Sequence, residues 1–248
     1  MNASEYTNLE AVEGEHWYYA GKRVIVRWWL THCGPPRPEQ TLLDCGAGTG
    51  SFAQEMAASC RVLVLDNHEE ALRMLRTRFQ PDQIIELAGD GVPLPDASLD
   101  YLTALDVLEH VPDDAAVVRG FTRMVKPGGL VVVTVPAGMV LWSDWDVALQ
   151  HYRRYSKRQL EALFDARHWQ ILHANYTNVA AFLPVWFIRK GRSWLARCHL
   201  VQQVRMEDRV PPRWINAVLK RLFVITGVTR VPIPLGVSLV LVARRRPA

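Results

Sequence analysis

Apolar residues fall into short runs separated by polar, glycine-rich or proline-bearing stretches, a pattern that predicts alternating strands and helices. Strands are predicted at 42–44, 61–66, 84–88, 99–105 and 130–135, the last a wholly apolar run suited to burial on both faces. Helical runs at about 51–59, 68–79 and 113–125 separate them. Such alternation implies right-handed crossovers and a parallel sheet. Further along, Ser156-Lys157-Arg158-Gln159 has the spacing of a capping box and predicts a helix over 157–167. Two more strands are predicted at 169–176 and 237–243. The first helical segment, aromatic and apolar at 17–30, ends at Gly34-Pro35-Pro36-Arg37-Pro38, a linker that cannot continue a helix.

The turn after the first strand, Asp44-Cys45-Gly46-Ala47-Gly48-Thr49-Gly50, is the candidate binding element. Glycines at 46, 48 and 50 permit a sharp turn and leave no Cβ between backbone and ligand. Asp44 stands at the carboxyl end of a strand, where ligands of open α/β sheets bind, and suits a cationic amine. The amides of the following helix suit a carboxylate. The spacing is G-x-G-x-G, and the third glycine of a dinucleotide fingerprint is replaced by Ser51. About 20 residues later Asp66 ends the second strand, the position expected to bind ribose hydroxyls.

Four motifs in order carry a resemblance: Asp44 to Gly50, Asp66, the segment around Gly89-Asp90-Gly91, and Asp106-Val107-Leu108-Glu109-His110-Val111 followed by Lys126-Pro127-Gly128-Gly129. Together they resemble a class I S-adenosylmethionine (SAM)-dependent methyltransferase, of the small-molecule or lipid branch. The resemblance implies an α/β fold, a three-layer Rossmann-like doubly wound sheet, mostly parallel with an antiparallel last strand. It implies SAM as cofactor, with Asp44, Gly46, Gly48, Gly50, Asp66, Asn67, Asp90, Gly91 and Leu105 around it, Asp90 accepting from an exocyclic adenine amine. The N-terminal helix is expected to close over the cofactor, bringing Tyr18 and Arg23 to the methionine carboxylate. Docking of that helix on the sheet by Trp17, Trp28 and Trp29 is the alternative.

The resemblance also implies a substrate wall after the fifth strand, over 141–156. Trp142, Tyr152, Arg153, Arg154 and Tyr155 are its candidates, the arginines for an anionic group and the tyrosines for stacking. Pairing of Arg153 and Arg154 with Asp144 and Asp146 is the structural alternative. A hydroxyl or amine acceptor needs a base, for which His110, His151 and Asp146 are the candidates. O-methylation is favoured. No metal-ligand cluster is visible in the spacing, so no metal is expected.

The division expected is an N-terminal helical cap and linker at 1–39 and a cofactor-binding domain at 40–248, with a helical insertion at about 177–235. Residues 178–188 are apolar but too few to cross a bilayer. The net charge of +4 hides an asymmetry, because residues 178–248 hold 13 Lys and Arg against 2 Asp and Glu. With Trp186, Trp194, Arg189, Lys190, Arg192 and Arg197 in the insertion, an anionic membrane surface is an expected partner. A buried cap or a homodimer interface is the alternative. No groove-reading motif accompanies the charge, so no nucleic acid is expected.

Four cysteines without C-x-x-C spacing, and no signal peptide, lead to the expectation of free thiols in a cytoplasmic chain, peripheral at the inner membrane face. The function expected is methyl transfer to a small-molecule or lipid-linked acceptor. The rivals are a catalytically inactive SAM-binding regulatory or scaffold protein and a nicotinamide-dependent oxidoreductase.

Overall fold

A computed structural model describes residues 3–87, 91–197 and 210–247, with side chains described outside 3–7 and 192–197. The strands are β1 (Thr41–Cys45), β2 (Arg61–Leu65), β3 (Ile84–Ile85), β4 (Leu99–Leu105), β5 (Val125–Pro136), β6 (Trp169–Thr177) and β7 (Ser238–Arg245). The helices are α1 (Ala3–Val12), α2 (Trp17–Cys33), α3 (Ser51–Met56), α4 (Glu69–Arg78), α5 (Asp114–Met124), α6 (Asp144–Ala148), α7 (Lys157–Ala162), α8 (Phe182–Arg197) and α9 (Arg213–Val228).

One seven-stranded sheet has the order β3-β2-β1-β4-β5-β7-β6. Its first five strands in that order pair in parallel, and β7 runs antiparallel between β5 and β6. The order reverses between β1 and β4, so their carboxyl ends open a crevice at a topological switch point. Alternate residues face opposite layers. Leu43, Leu63, Leu102 and Val131 meet Val118, Phe121 and Met124 of α5 on one side. Leu42, Val62, Tyr101 and Val132 meet Val26, Trp29 and Leu30 of α2, Phe52 and Met56 of α3 and Phe223 of α9 on the other. This is the three-layer arrangement expected from the sequence.

Two strands differ from expectation. β3 is two residues long, not five, and residues 88–90, Asp90 included, lie outside the described residues. β5 begins early, at Val125 opposite Leu99; the ladder then slips, and Lys126 to Gly129 are spare before Leu130 pairs with Tyr101. Gly128 there has φ +83°. The helix expected over 157–167 stops at Ala162, although its capping box is present.

Among the described residues, the insertion contains the helices α8 and α9, and α9 is a cap on α2. Gly227 lies so close to Ile25 that any Cβ would overlap it. The Trp29 indole donates to the Gly227 carbonyl over 2.8 Å, and Phe223 stacks on Tyr18 with ring centroids 5.4 Å apart. The first helix of the insertion, α8, leans on the turn at Met139–Leu141. Among the described residues, no helix is long and apolar enough to cross a membrane.

Candidate active site

A cleft of about 1510 Å³ opens at the switch point and is lined from the ends of β1, β2, β4 and β5, from α2, and from α8. Its floor is the glycine turn. Gly46 (φ +71°) lies against Val107, where a Cβ would come within 2.4 Å of a side-chain methyl. Gly48 (φ +57°) faces open space, with nothing described within 4 Å of a Cβ there. Gly50 serves packing instead; a Cβ would meet Phe79 at 2.6 Å, and it does not line the cleft among the described residues. The turn is fastened from beside it, since Asp66 accepts hydrogen bonds from the amides of Gly48 and His68, each 2.9 Å.

Asp44 is 2% exposed and accepts from the Thr103 hydroxyl over 2.7 Å. Burial pushes its carboxyl up to about 7, against the pull of that hydrogen bond. Asp66, Asn67, Gly91 and Leu105 also line the cleft, as expected residues of the cofactor end. So do Tyr18 and Arg23, but both are engaged within the chain. The Tyr18 hydroxyl donates to Asp106 over 3.1 Å, and Arg23 donates to Glu55 over 2.7 Å and to the Glu13 carbonyl over 2.9 Å. The start of α3, expected to meet a ligand carboxylate, is met by the Glu13 carboxylate, which accepts from Thr49 and, over 2.6 Å, from Ser51.

Lys22, which no sequence motif marks, belongs to the site. One turn along α2 from Tyr18, it forms an ion pair with Asp106, whose other oxygen accepts from Thr134 over 2.9 Å. Burial opposes both charges, but each partner's field outweighs it, so the Lys22 ammonium is raised and the Asp106 carboxyl lowered from their ordinary values. Asp106 has φ +57°, which aims it back under α2.

The opposite end of the cleft gathers Glu109, His110 and His151. The two imidazoles meet edge to face with centroids 4.6 Å apart. The His151 Nδ1 lies 3.0 Å from an Asp146 carboxylate oxygen. Asp146 is fully buried between Arg154 at 2.7 Å and Arg189 at 3.2 Å, and its second oxygen accepts from the Ser143 amide. Burial would raise its carboxyl, but His151 and the two guanidinium groups bring it down to about 2. Burial and the neighbouring His151 bring the His110 imidazole down to about 4, so it is neutral at pH 7. Glu109 is 1% exposed and accepts no hydrogen bond from another described residue; burial and the Asp106 charge raise its carboxyl well above the usual range. One donor atom from each of Glu109, His110 and His151 falls within 4.8 Å of the others, a set able to hold a divalent cation.

Several expected substrate contacts are turned elsewhere. Tyr155 is buried, its hydroxyl donating to Asp114 over 2.6 Å and contacting the Leu108 carbonyl, because its ring fills the core beneath β4. Arg153 pairs with Asp114 at 2.7 Å and donates to the Pro112 carbonyl, so neither it nor Tyr155 lines the cleft. Trp142 is not among the described lining residues; Trp145 takes that wall. Arg154 does line the cleft, but it is buried and held by Asp146 and the carbonyls of Ala137 and Val237. Asp146 is walled off from the cleft by its partners, so it positions His151 and is not itself placed to take a proton. Tyr152 alone of the five is exposed at the mouth.

Residues 43–133 match the family model described as a methyltransferase domain. An "Uncharacterized methyltransferase" of Mycobacterium bovis is 30% identical over 128 residues, half of each chain. A "Probable S-adenosylmethionine-dependent methyltransferase" of Mycobacterium tuberculosis is 25% identical over 169 residues, 67% of this chain and 58% of the relative. The chain thus spans about half the length of the curated relatives it matches. Two solved structures share the fold. A phosphoethanolamine N-methyltransferase of Haemonchus contortus, in complex with phosphomonomethylethanolamine and S-adenosylhomocysteine, aligns with a TM-score of 0.60 at 16% identity. That alignment covers 100% of this chain and 59% of the other. A SAM-dependent methyltransferase of Archaeoglobus fulgidus aligns with a TM-score of 0.55 at 14% identity, covering 90% and 94%.

Proposed function

We propose that this chain, whose residues 43–133 match a methyltransferase-domain model, uses SAM to methylate a hydroxyl of a small-molecule or lipid-linked acceptor. The observation that carries this reading is the joining, in one cleft, of an acid-edged glycine turn to a histidine anchored by a buried carboxylate. The cofactor end fits SAM by its chemistry: Gly48 leaves backbone room, Asp44 offers an anion to the amino group, and Asp66 with Asn67 offers acceptors and donors to a ribose. When bound, SAM supplies a methyl group on a positively charged sulfur, open to in-line displacement.

The chain's own groups then have distinct tasks. Asp146 accepts the Nδ1 proton of His151, which leaves the Nε2 lone pair to take the acceptor's hydroxyl proton. Arg154 and Arg189 keep Asp146 anionic and in place. Glu109, its carboxyl raised by burial and by the Asp106 charge, lies at the same end of the cleft. Trp17, Tyr18, Tyr19 and Trp145 give the cleft aromatic walls.

The test is a thermal-shift comparison of SAM with NAD, followed by S-adenosylhomocysteine release from a panel of phenols, polyprenyl alcohols and their phosphates. A ligand at 100 times its dissociation constant adds about 2.7 kcal/mol of stability. SAM stabilisation with turnover on one acceptor class supports the reading. Stabilisation by NAD and not by SAM would sink it, and SAM binding without turnover on any acceptor would favour a scaffold.

A further inference from the structure

We propose that the outer faces of α8 and α9 form a docking surface for a bilayer carrying anionic phospholipid, and that α8 brings the mouth of the cleft to that bilayer. The inference rests on the lipid-linked acceptor reading above.

The α8 helix has two working faces. Val185 and Arg189, one turn apart, line the cleft, as does Ala181 just before the helix. Leu183, Phe187 and Ile188 do not line it and are exposed, Phe187 by 65%. Met139 and Val140, in the turn against which α8 packs, are exposed too and extend the apolar surface beside the cleft wall. A helix that needed only to close the cleft would carry polar residues on that outer side.

The cap helix α9 repeats the arrangement. Phe223 and Gly227 face α2, while Trp214, Val218, Leu222 and Ile225 form an exposed stripe at helical spacing, Trp214 by 73%. Exposed Arg213 and Arg221 flank that stripe, and exposed Lys190 follows the one on α8. Apolar stripes bordered by basic residues, with tryptophan at the rim, match the headgroup boundary of a bilayer. The choice of an anionic surface over a second copy of the chain rests on charge: the described side chains of α8 and α9 include Lys190, Arg213, Lys220 and Arg221 and no acid, so two such faces would repel each other. Arg189 takes no part, because it is buried on Asp146.

The experiment is co-sedimentation of the full chain with vesicles of phosphatidylglycerol and phosphatidylcholine, against phosphatidylcholine alone, at low and high salt. Two variants accompany it, Lys190→Glu/Arg213→Glu/Arg221→Glu and Phe187→Ser/Trp214→Ser. All these side chains are exposed, so folding should be retained, and the SAM thermal shift of each variant checks this. Binding to the anionic vesicles should weaken with salt, fall at least about a hundredfold in the charge-reversed variant and also fall in the apolar variant. Absence of binding to both vesicles, or equal salt-insensitive binding to both, overturns the proposal. So does a chain that is dimeric by analytical ultracentrifugation and becomes monomeric on Phe187→Ser/Trp214→Ser. Failure of the methyltransferase reading appears separately, as no SAM shift in any of the three proteins whatever the vesicles do.

Discussion

The His151 Nδ1 sits 3.0 Å from a carboxylate oxygen of Asp146, a residue with no exposed surface. The contact fixes which imidazole nitrogen faces Asp146 and which remains for chemistry. Replacing His151 by Gln should therefore lower methyl transfer about 100- to 10,000-fold while the SAM thermal shift stays that of the parent chain. Equal turnover in the two proteins would remove His151 from the mechanism.

Asp44 and Asp146 should give opposite pH responses. Asp146, held at about 2, contributes stability that is present above the ordinary carboxylate value near 4 and is lost as pH falls through 2. Asp44, raised to about 7, binds its proton more tightly when folded, so its cost to stability grows as pH rises from about 4 to 7. A cationic amine beside Asp44 requires the ionised form. SAM affinity should thus rise between pH 5 and 8, with proton release detectable by calorimetry in buffers of different ionisation enthalpy. Asp44→Asn should abolish the proton release and weaken binding.

Gly46 and Gly48 separate folding from binding. Alanine at Gly46 meets Val107 and should cost about 1–3 kcal/mol in overpacking beyond the strain of its positive φ. Alanine at Gly48 meets no described atom, so its folding cost is the backbone strain alone, about 1 kcal/mol. Chemical denaturation should rank Gly46→Ala as the less stable variant. Gly48→Ala should instead lose SAM affinity, read by calorimetry.

Zinc should inhibit. Glu109, His110 and His151 can close on a divalent ion, and a metal on His151 would occupy the lone pair proposed to take the acceptor proton. Stoichiometric Zn²⁺ should stop turnover, EDTA should restore it, and Glu109→Gln should blunt the inhibition. Stimulation by zinc would instead assign these residues to a metal-assisted reaction.

What the chain reveals about itself before folding is what lies close in sequence. The strand at 99–105 coincides with β4, and Ser156 and Gln159 form the capping box their spacing implies. The glycine turn and its flanking acids are legible for the same reason, each being a local pattern. The ties that set the site cross long stretches of chain: Lys22 to Asp106, Arg189 to Asp146, Glu109 beside His151. No spacing rule encodes these, so Arg189 reads in sequence as a headgroup contact and proves to be a buried counter-ion. The same holds for Arg153, whose acidic partner is Asp114 and not the nearer Asp144.

The Lys22 and Asp106 pair has a third and fourth member, Tyr18, and Ser238 on β7, 3.3 Å from the Tyr18 hydroxyl. The amide of Trp17 likewise donates to Asn216 over 2.8 Å, joining positions 199 residues apart. Such closures are slow to find, because distant segments must meet before any contact rewards them. A chain emerging from the ribosome can lay down β1 to β5 and still lack this corner of the cleft until Ser238 has been synthesised and β7 has inserted between β5 and β6. Partial products would carry the glycine turn without the completed chamber around it.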